Sequence, residues 1–180
     1  MRITKVTTKG GDKGRTALGD GSKVSKSDLR IRCIGEVDEL NSFIGHAKIA
    51  TTDEKIINEL IAIQNNLLNL GGELSIPKKQ LDLIKEESIL HLERITDEWN
   101  KDLPHLKDFI LPGGDEFSAR LHIVRSVCRR VERSIVKLNE EENERMLWVK
   151  YLNRLSDYIF VLARYHTVKN NIIESQWSKR

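Results

Sequence analysis

Between Phe117 and Leu138 the apolar residues Phe117, Leu121, Val124, Cys128, Val131, Ile135 and Leu138 alternate four and three apart. An apolar repeat of about 3.5 residues nearly matches the helical turn of about 3.6, so these side chains form one stripe along a helix. A stripe this long is covered only by other helices lying beside it, and the spacing predicts a helix packed lengthwise in a bundle. The rest of the chain permits that reading. Only 3 Pro and 11 Gly occur in 180 residues, and 7 of the Gly fall before residue 50, which leaves most of the length free of helix breakers. With 39% hydrophobic and 32% charged residues, the chain suits one compact domain with an ordinary core and excludes a disordered tail, a fibre or a two-domain enzyme.

Four further helices follow from apolar spacing. Val37, Leu40, Ile44 and Ala47 share a face and predict a first helix from Val37. Ile57, Leu60, Ile61, Gln64, Leu67, Leu68, Gly71 and Leu74 predict a second, with Asp53 as N-cap and a stop before Pro77. Leu92, Ile95, Trp99 and Leu103 predict a third, shorter one ended by Pro104. Phe109-Ile110-Leu111-Pro112-Gly113-Gly114 then reads as an extended, partly buried turn, with Asp115 in the N-cap position of the striped fourth helix. After a charged turn around Asn139 to Asn143, a fifth helix turns Trp148, Tyr151, Leu152, Leu155, Ile159 and Leu162 inward. Residues 1 to about 27 carry Gly10, Gly11, Gly14, Gly19 and Gly21 among Thr, Lys, Asp and Ser and read as a loop. The expectation is a single all-α domain over 1–180, with a leader over 1–27 and a five-helix bundle over 28–180.

Charge and composition narrow the chemistry. A net charge of +3 is far from the imbalance of a protein that coats nucleic acid, so any anion site must be local. Cys33 and Cys128 have no CxxC partner and read as buried reduced thiols. No N-terminal apolar segment or membrane-length apolar run occurs, and a cytoplasmic setting without membrane contact is expected. His46, His91, His105, His122 and His166 lack ligand spacing, so no residue is assigned to a metal. No Ser/His/Asp or Cys/His grouping is legible, and the chemistry must then proceed without a protein nucleophile.

Three clusters could bind or act. The leader Thr7-Thr8-Lys9-Gly10-Gly11-Asp12-Lys13-Gly14-Arg15-Thr16 offers backbone N–H groups, cationic side chains and hydroxyls suited to a polyphosphate, although the Walker register fails from every glycine. Arg125, Arg129 and Arg133 are four apart and stack on one face of the fourth helix, beside Arg130 and Glu132. This stripe is either a solvated surface or the bed of an anionic ligand. On the fifth helix Asn153 has donors and acceptors suited to an adenine or ribose edge, and Arg154 is spaced to pair with Asp157. Asp38 lies toward the flank of the first helix's apolar face, where a carboxylate needs a partner, and an arginine of the fourth helix is the available supply.

Taken in order, Thr8 to Thr16, Gly19 to Lys26, Gly35-Glu36-Val37-Asp38-Glu39-Leu40-Asn41-Ser42, Phe109 to Gly114, Arg125 to Arg133 and Tyr151 to Asp157 resemble the motifs of the PduO-type ATP:cob(I)alamin adenosyltransferases. The resemblance spans nearly the whole chain. It implies a homotrimeric five-helix bundle that holds ATP between the leader of one chain and helices of its neighbour. It also implies transfer of the 5′-deoxyadenosyl group of ATP to the cobalt of cob(I)alamin, with release of triphosphate. Cob(I)alamin would itself be the nucleophile, leaving orientation and charge stabilisation to the protein.

Carried over by residue, the resemblance implies that Thr8, Lys9, Gly10, Gly11, Asp12, Lys13, Gly14, Arg15 and Thr16 wrap the triphosphate and that Lys26 adds a charge. Arg129, Arg130, Glu132, Arg133 and Asn153 would line the nucleotide. Asp38 would pair with Arg125, and Phe109 would occupy the lower face of the corrinoid. Mg²⁺ would ride on the ATP phosphates, and a flavin-dependent reductase would be a partner that supplies electrons. Thr7, Gly10 and His166-Thr167 depart from the usual family residues. The competing readings are an ATP-binding helical sensor or regulatory module without transfer, a ferritin-like bundle, which the lack of inward Glu and ExxH pairs disfavours, and a nucleic-acid binder.

Overall fold

The structure, a computed structural model, describes residues 7, 9–77 and 79–178. Five helices carry the fold: α1 (Leu29–Lys48), α2 (Glu54–Leu74), α3 (Glu86–Asn100), α4 (Glu116–Glu142) and α5 (Met146–Lys169). The α4 helix packs against α5 on one side and α1 on the other, while α2 flanks α1 and α3 flanks α5. Every residue of the α4 stripe from Phe117 to Leu138 is buried, as the heptad spacing requires. The inward residues of α5 named from its periodicity are buried too. Asp115 starts α4 through a capping box, its Oδ1 accepting from the Ser118 amide at 2.9 Å while its own amide donates to Ser118 Oγ at 2.9 Å. Asn143, at φ 52° and ψ 50°, ends α4 in the left-handed region.

Four expectations change. The leader is not wholly a loop, because β1 (Arg15–Ala17) pairs antiparallel with β2 (Lys23–Ser25), with Thr16 opposite Val24. Strands of three residues are too short to show an alternating pattern. The hairpin docks on the end of α2 through buried Leu18 and a 2.7 Å bond from the Gly19 amide to Ser75 O. A Cβ on Gly19 would lie 2.9 Å from Ser75 Oγ and 2.9 Å from Ile76, so this close approach requires glycine.

The α1 helix begins at Leu29 rather than Val37, capped by Asp28, which accepts from the Arg30 amide at 2.9 Å. Its inward positions in the first turns are Arg30 and Cys33, and a charged residue at a core position interrupts the apolar pattern. Arg30 is 3% exposed; it donates to Leu74 O at 3.0 Å, to Glu142 at 2.6 Å and to Glu144. The α2 helix is rotated relative to expectation. Ile56, Ile63 and Leu70 are buried with Leu60, Leu67 and Leu74, whereas Ile61 and Leu68 face outward. The fourth helix also runs through the expected turn to Glu142.

One buried carboxylate organises the end of the bundle that carries the leader. Glu73 is 2% exposed and accepts from the Leu83 amide at 2.6 Å, the Ile84 amide at 3.2 Å, Arg145 at 2.9 Å and the Trp148 indole N–H. It thereby ties the connection before α3 to the start of α5.

Candidate functional site

Phe109 is 79% exposed and Leu111 48%, so the segment read as a partly buried turn presents its apolar residues outward. The segment is held in place by the chain's own tail. Leu111 N–H donates to Ser175 O at 2.7 Å, Trp177 N–H donates to Phe109 O at 2.7 Å, and Ile110 forms an antiparallel bridge with Gln176. Phe109 and Trp177 face a cavity of about 950 Å³ whose other walls are Arg125 and Arg129 of α4 and Ser156, Asp157 and Phe160 of α5.

Arg125 is the most constrained charge there. Its guanidinium carbon lies 5.8 Å from the centroid of the Phe160 ring, a cation–π distance. Its buried Nε has no hydrogen-bond partner among the described residues. Burial, and then the neighbouring Arg129, hold this guanidinium below its ordinary pKa without discharging it. A buried N–H without an acceptor is costly, so the site is better satisfied when an oxygen of a ligand or of another chain reaches it.

One turn further along α4, a smaller recess of about 280 Å³ is lined by Arg129, Glu132, Arg133, Val136 and Asn153. Asn153 Nδ2 donates to Glu132 Oε1 at 3.1 Å, and its Oδ1 accepts from Arg154 at 2.6 Å. Arg154 pairs with Glu93 of α3 at 2.6 Å, in place of the expected Asp157. Arg129 borders both recesses, which makes them neighbours along one groove. Among the described residues neither Arg129 nor Arg133 forms an ion pair. The groove thus offers a chamber with an aromatic wall of Phe109, Phe160 and Trp177 beside a cationic recess, a fit for a ligand pair of which one is flat and the other anionic.

A model of the cobalamin adenosyltransferase family matches residues 6–166. The chain belongs to the cobalamin adenosyltransferase family. It is 48% identical over 165 residues to a cobalamin adenosyltransferase of Cupriavidus metallidurans, an alignment covering 91% of this chain and 88% of that one. It is 40% identical over 180 residues to the corrinoid adenosyltransferase of Bacillus subtilis, covering 97% and 93% of the two chains. Among solved structures, a phenylalanine-to-alanine variant of the PduO-type ATP:corrinoid adenosyltransferase of Lactobacillus reuteri, complexed with cobalamin and ATP, superposes with a TM-score of 0.93 at 35% identity. That superposition covers 97% of this chain and all of the other, 100%.

Within this member of the family, the remaining described residues singled out in the sequence do not line the groove itself. Arg130 forms an ion pair with Glu39 of α1 and lines an adjoining recess with His122 and Ser126 that shares Arg133 with the cationic recess. Asp38 is exposed and lines a recess between α1 and α2, so it needs no partner for burial and forms no pair with Arg125 within the chain. Position 38 follows Val37 by one residue, a rotation of about 100° that carries it off the core face.

In the leader, Thr8 lies outside the described residues. Gly11 to Gly14 form a turn, with Gly14 N–H on Gly11 O at 3.1 Å, and the Lys26 amide closes it onto Gly14 O at 2.9 Å. A Cβ on Gly11 would lie 2.8 Å from Lys26 Nζ, so the ammonium rests directly over this glycine. Arg15 spends one N–H across the hairpin, on Lys23 O at 2.8 Å. Among the described residues, none of the leader lines the groove on α4 and α5.

Two aromatic residues of the cavity were not assigned to a site by the sequence reading. Phe160 was passed over because Ile159 and Leu162 satisfied the inward face, and Trp177 sits in a tail with no helical period. The detectable signal for Phe160 was its place one turn after Ser156, on the side of α5 that also carries Asp157. Among the described residues there is no cluster of three or more metal-ligating side chains, and no helix is long and apolar enough to cross a membrane.

Proposed function

We propose that this protein transfers the 5′-deoxyadenosyl group from ATP to the cobalt of a corrinoid in its Co(I) state. The bond between C5′ and the triphosphate oxygen breaks, the cobalt supplies the electron pair of the new Co–C bond, and inorganic triphosphate leaves. The observation that carries the reading is the chamber in which solvent-facing Phe109 stands opposite Arg125 and Arg129. An aromatic ring left in water is unfavourable unless a ligand covers it. A corrin ring is a flat apolar surface of suitable size, and the arginines suit the developing charge on the triphosphate.

In this reading Phe109 fills the lower face of the corrinoid and keeps a fifth ligand from the cobalt, which makes Co(II) easier to reduce. Arg129, Arg133 and Asn153, with Glu132 orienting the amide, receive the nucleotide. The leader turn and Lys26 supply backbone N–H groups and charge for the triphosphate, and Mg²⁺ rides on its phosphates. No described leader residue lines the nucleotide recess of its own chain, and in this reading the leader reaches a nucleotide on a neighbouring chain. A homotrimer with interfacial sites is the proposed assembly, in which exposed Asp38 of one chain meets Arg125 of the next and Arg130 faces the interface. A flavin-dependent reductase is the proposed electron source.

The test is product analysis after incubation with ATP, Mg²⁺ and chemically reduced cobalamin. One inorganic triphosphate per adenosylcobalamin is expected. Release of orthophosphate or pyrophosphate, or ATP binding without a cobalamin product, would support the sensor reading instead.

A further inference from the structure

Both walls of the cavity that does not belong to a helix are tied to one buried side chain. Arg164 of α5 is 4% exposed. Its Nη2 donates to Pro104 O at 2.9 Å, at the head of the segment that runs through Leu106 to Ile110. Its Nε lies 3.4 Å from Glu174 Oε2, at the head of the tail that runs through Gln176 to Ser178. Glu174 is held a second time, by the hydroxyl of buried Thr167 on its Oε1 at 3.0 Å. The tail leaves α5 by a tight reversal with Asn171 at φ 55° and Ile172 N–H on Thr167 O at 2.8 Å, and Glu174 is the first charged side chain after the turn.

Beyond these anchors the two segments meet through the short ladder at Phe109, Leu111, Ser175 and Trp177 and through the edge-to-face contact of the Phe109 and Trp177 rings. A ladder of two or three bonds between irregular segments does not persist alone in water. We propose that Arg164, through Glu174 and Thr167, is a positioning residue for the corrinoid chamber, setting the separation of the Phe109 and Trp177 walls. The inference rests on the transferase reading for the identity of the ligand, but the clasp itself is a statement about this chain. A guanidinium is suited to the task because its rigid fork reaches two acceptors in different directions, which a lysine ammonium on a flexible stem does not reproduce. Fixing both walls before the substrate arrives lowers the ordering cost of binding it, while the ATP side, built from α4, Asn153 of α5 and a neighbour's leader, has no contact with the clasp.

The experiment compares Glu174→Ala, Glu174→Gln and Arg164→Lys with the parent protein in steady-state kinetics and amide hydrogen exchange. Glu174→Ala is expected to raise KM for cob(I)alamin about fivefold, with KM for ATP and kcat unchanged within about twofold. Amide exchange at Leu111 and Trp177 should accelerate about tenfold or more in the same variant. Glu174→Gln keeps one carbonyl oxygen to accept from Arg164, and its NH2 can donate to the Thr167 hydroxyl, so it should restore part of each effect, and Arg164→Lys should resemble Glu174→Ala. Unchanged exchange at Leu111 and Trp177, or an equal rise in KM for ATP, would overturn the proposal. A parent protein that forms no adenosylcobalamin would refute the transferase reading, while the exchange result would still decide whether the clasp exists.

Discussion

Phe109 and Trp177 meet edge to face, with ring centroids 6.4 Å apart and planes inclined at 64°. The two residues are 68 positions apart in sequence, and both come from segments without helical structure. Their contact makes an aromatic corner on the chamber that Arg125 and Arg129 close from the opposite side. In the proposed reading, that arrangement puts the exposed Phe109 ring where a flat substrate would lie.

Removing the ring should therefore separate the two substrates. Phe109→Ala is expected to leave KM for ATP unchanged and to slow adenosylation of cob(II)alamin under reductant by more than about tenfold, since an exposed side chain contributes little to the fold. Steady-state kinetics with each substrate varied in turn check this, and an equal loss on the ATP side would remove Phe109 from its assigned role.

The arginines of α4 should differ according to where they point. Arg129→Ala loses a charge-assisted contact to the nucleotide and is expected to reduce kcat/KM for ATP by about 1.5–3 kcal/mol. Arg130 instead forms a half-exposed pair with Glu39 in the single chain, and Glu39→Ala should alter the unfolding free energy by less than about 1 kcal/mol. Kinetics and urea titrations of the two variants measure these quantities, and an unchanged Arg129→Ala enzyme would return the stripe to a solvated face.

A pH dependence follows from the α4 cap. Burial of Asp115 raises its pKa, but the Ser118 hydroxyl and amide and His166 at 2.7 Å outweigh it and hold the carboxyl below the ordinary range. A folded pKa below the unfolded one stabilises the protein above the unfolded value of about 3.9 and loses that contribution as pH falls through the folded value. Asp115→Asn should accordingly lower Tm at pH 7, and the gap from the parent should shrink in thermal melts as the pH drops below about 4. A gap that stays constant over this range would show that the cap acts by shape alone.

The buried Glu73 carboxylate predicts the largest loss of stability. Glu73→Ala leaves Arg145, the Trp148 indole and the amides of Leu83 and Ile84 without their acceptor, and should cost about 3–5 kcal/mol in chemical denaturation. A change below about 1 kcal/mol would mean that water replaces the carboxylate at little cost.

The sequence was most informative where one element repeats a pattern over many turns. The α4 stripe and the inward face of α5 were legible because seven and six apolar positions, respectively, agree on one phase. The start of α1 was hidden because Arg30, a core residue satisfied by Leu74 O, Glu142 and Glu144, looks like a surface residue in sequence. The α2 face was misphased because it carries apolar residues on both sides, and nothing local distinguishes Ile56 and Ile63 from Ile57 and Ile61. In the site, the spacing of Arg125 and Arg129 placed them together without tertiary information. Their meeting with Phe109, Phe160 and Trp177 depends on how the tail folds back, and no short-range signal encodes that. The expectation that Asp38 needs a buried partner failed because position 38 lies off the core face and is exposed.

The most direct test of adenosyl transfer is the optical spectrum of cob(I)alamin, generated anaerobically with a chemical reductant and followed after addition of the protein, ATP and Mg²⁺. The account predicts that the Co(I) band decays into the spectrum of adenosylcobalamin at a rate that depends on both protein and ATP. A Co(I) band that persists while calorimetry detects ATP bound to the same protein would contradict it.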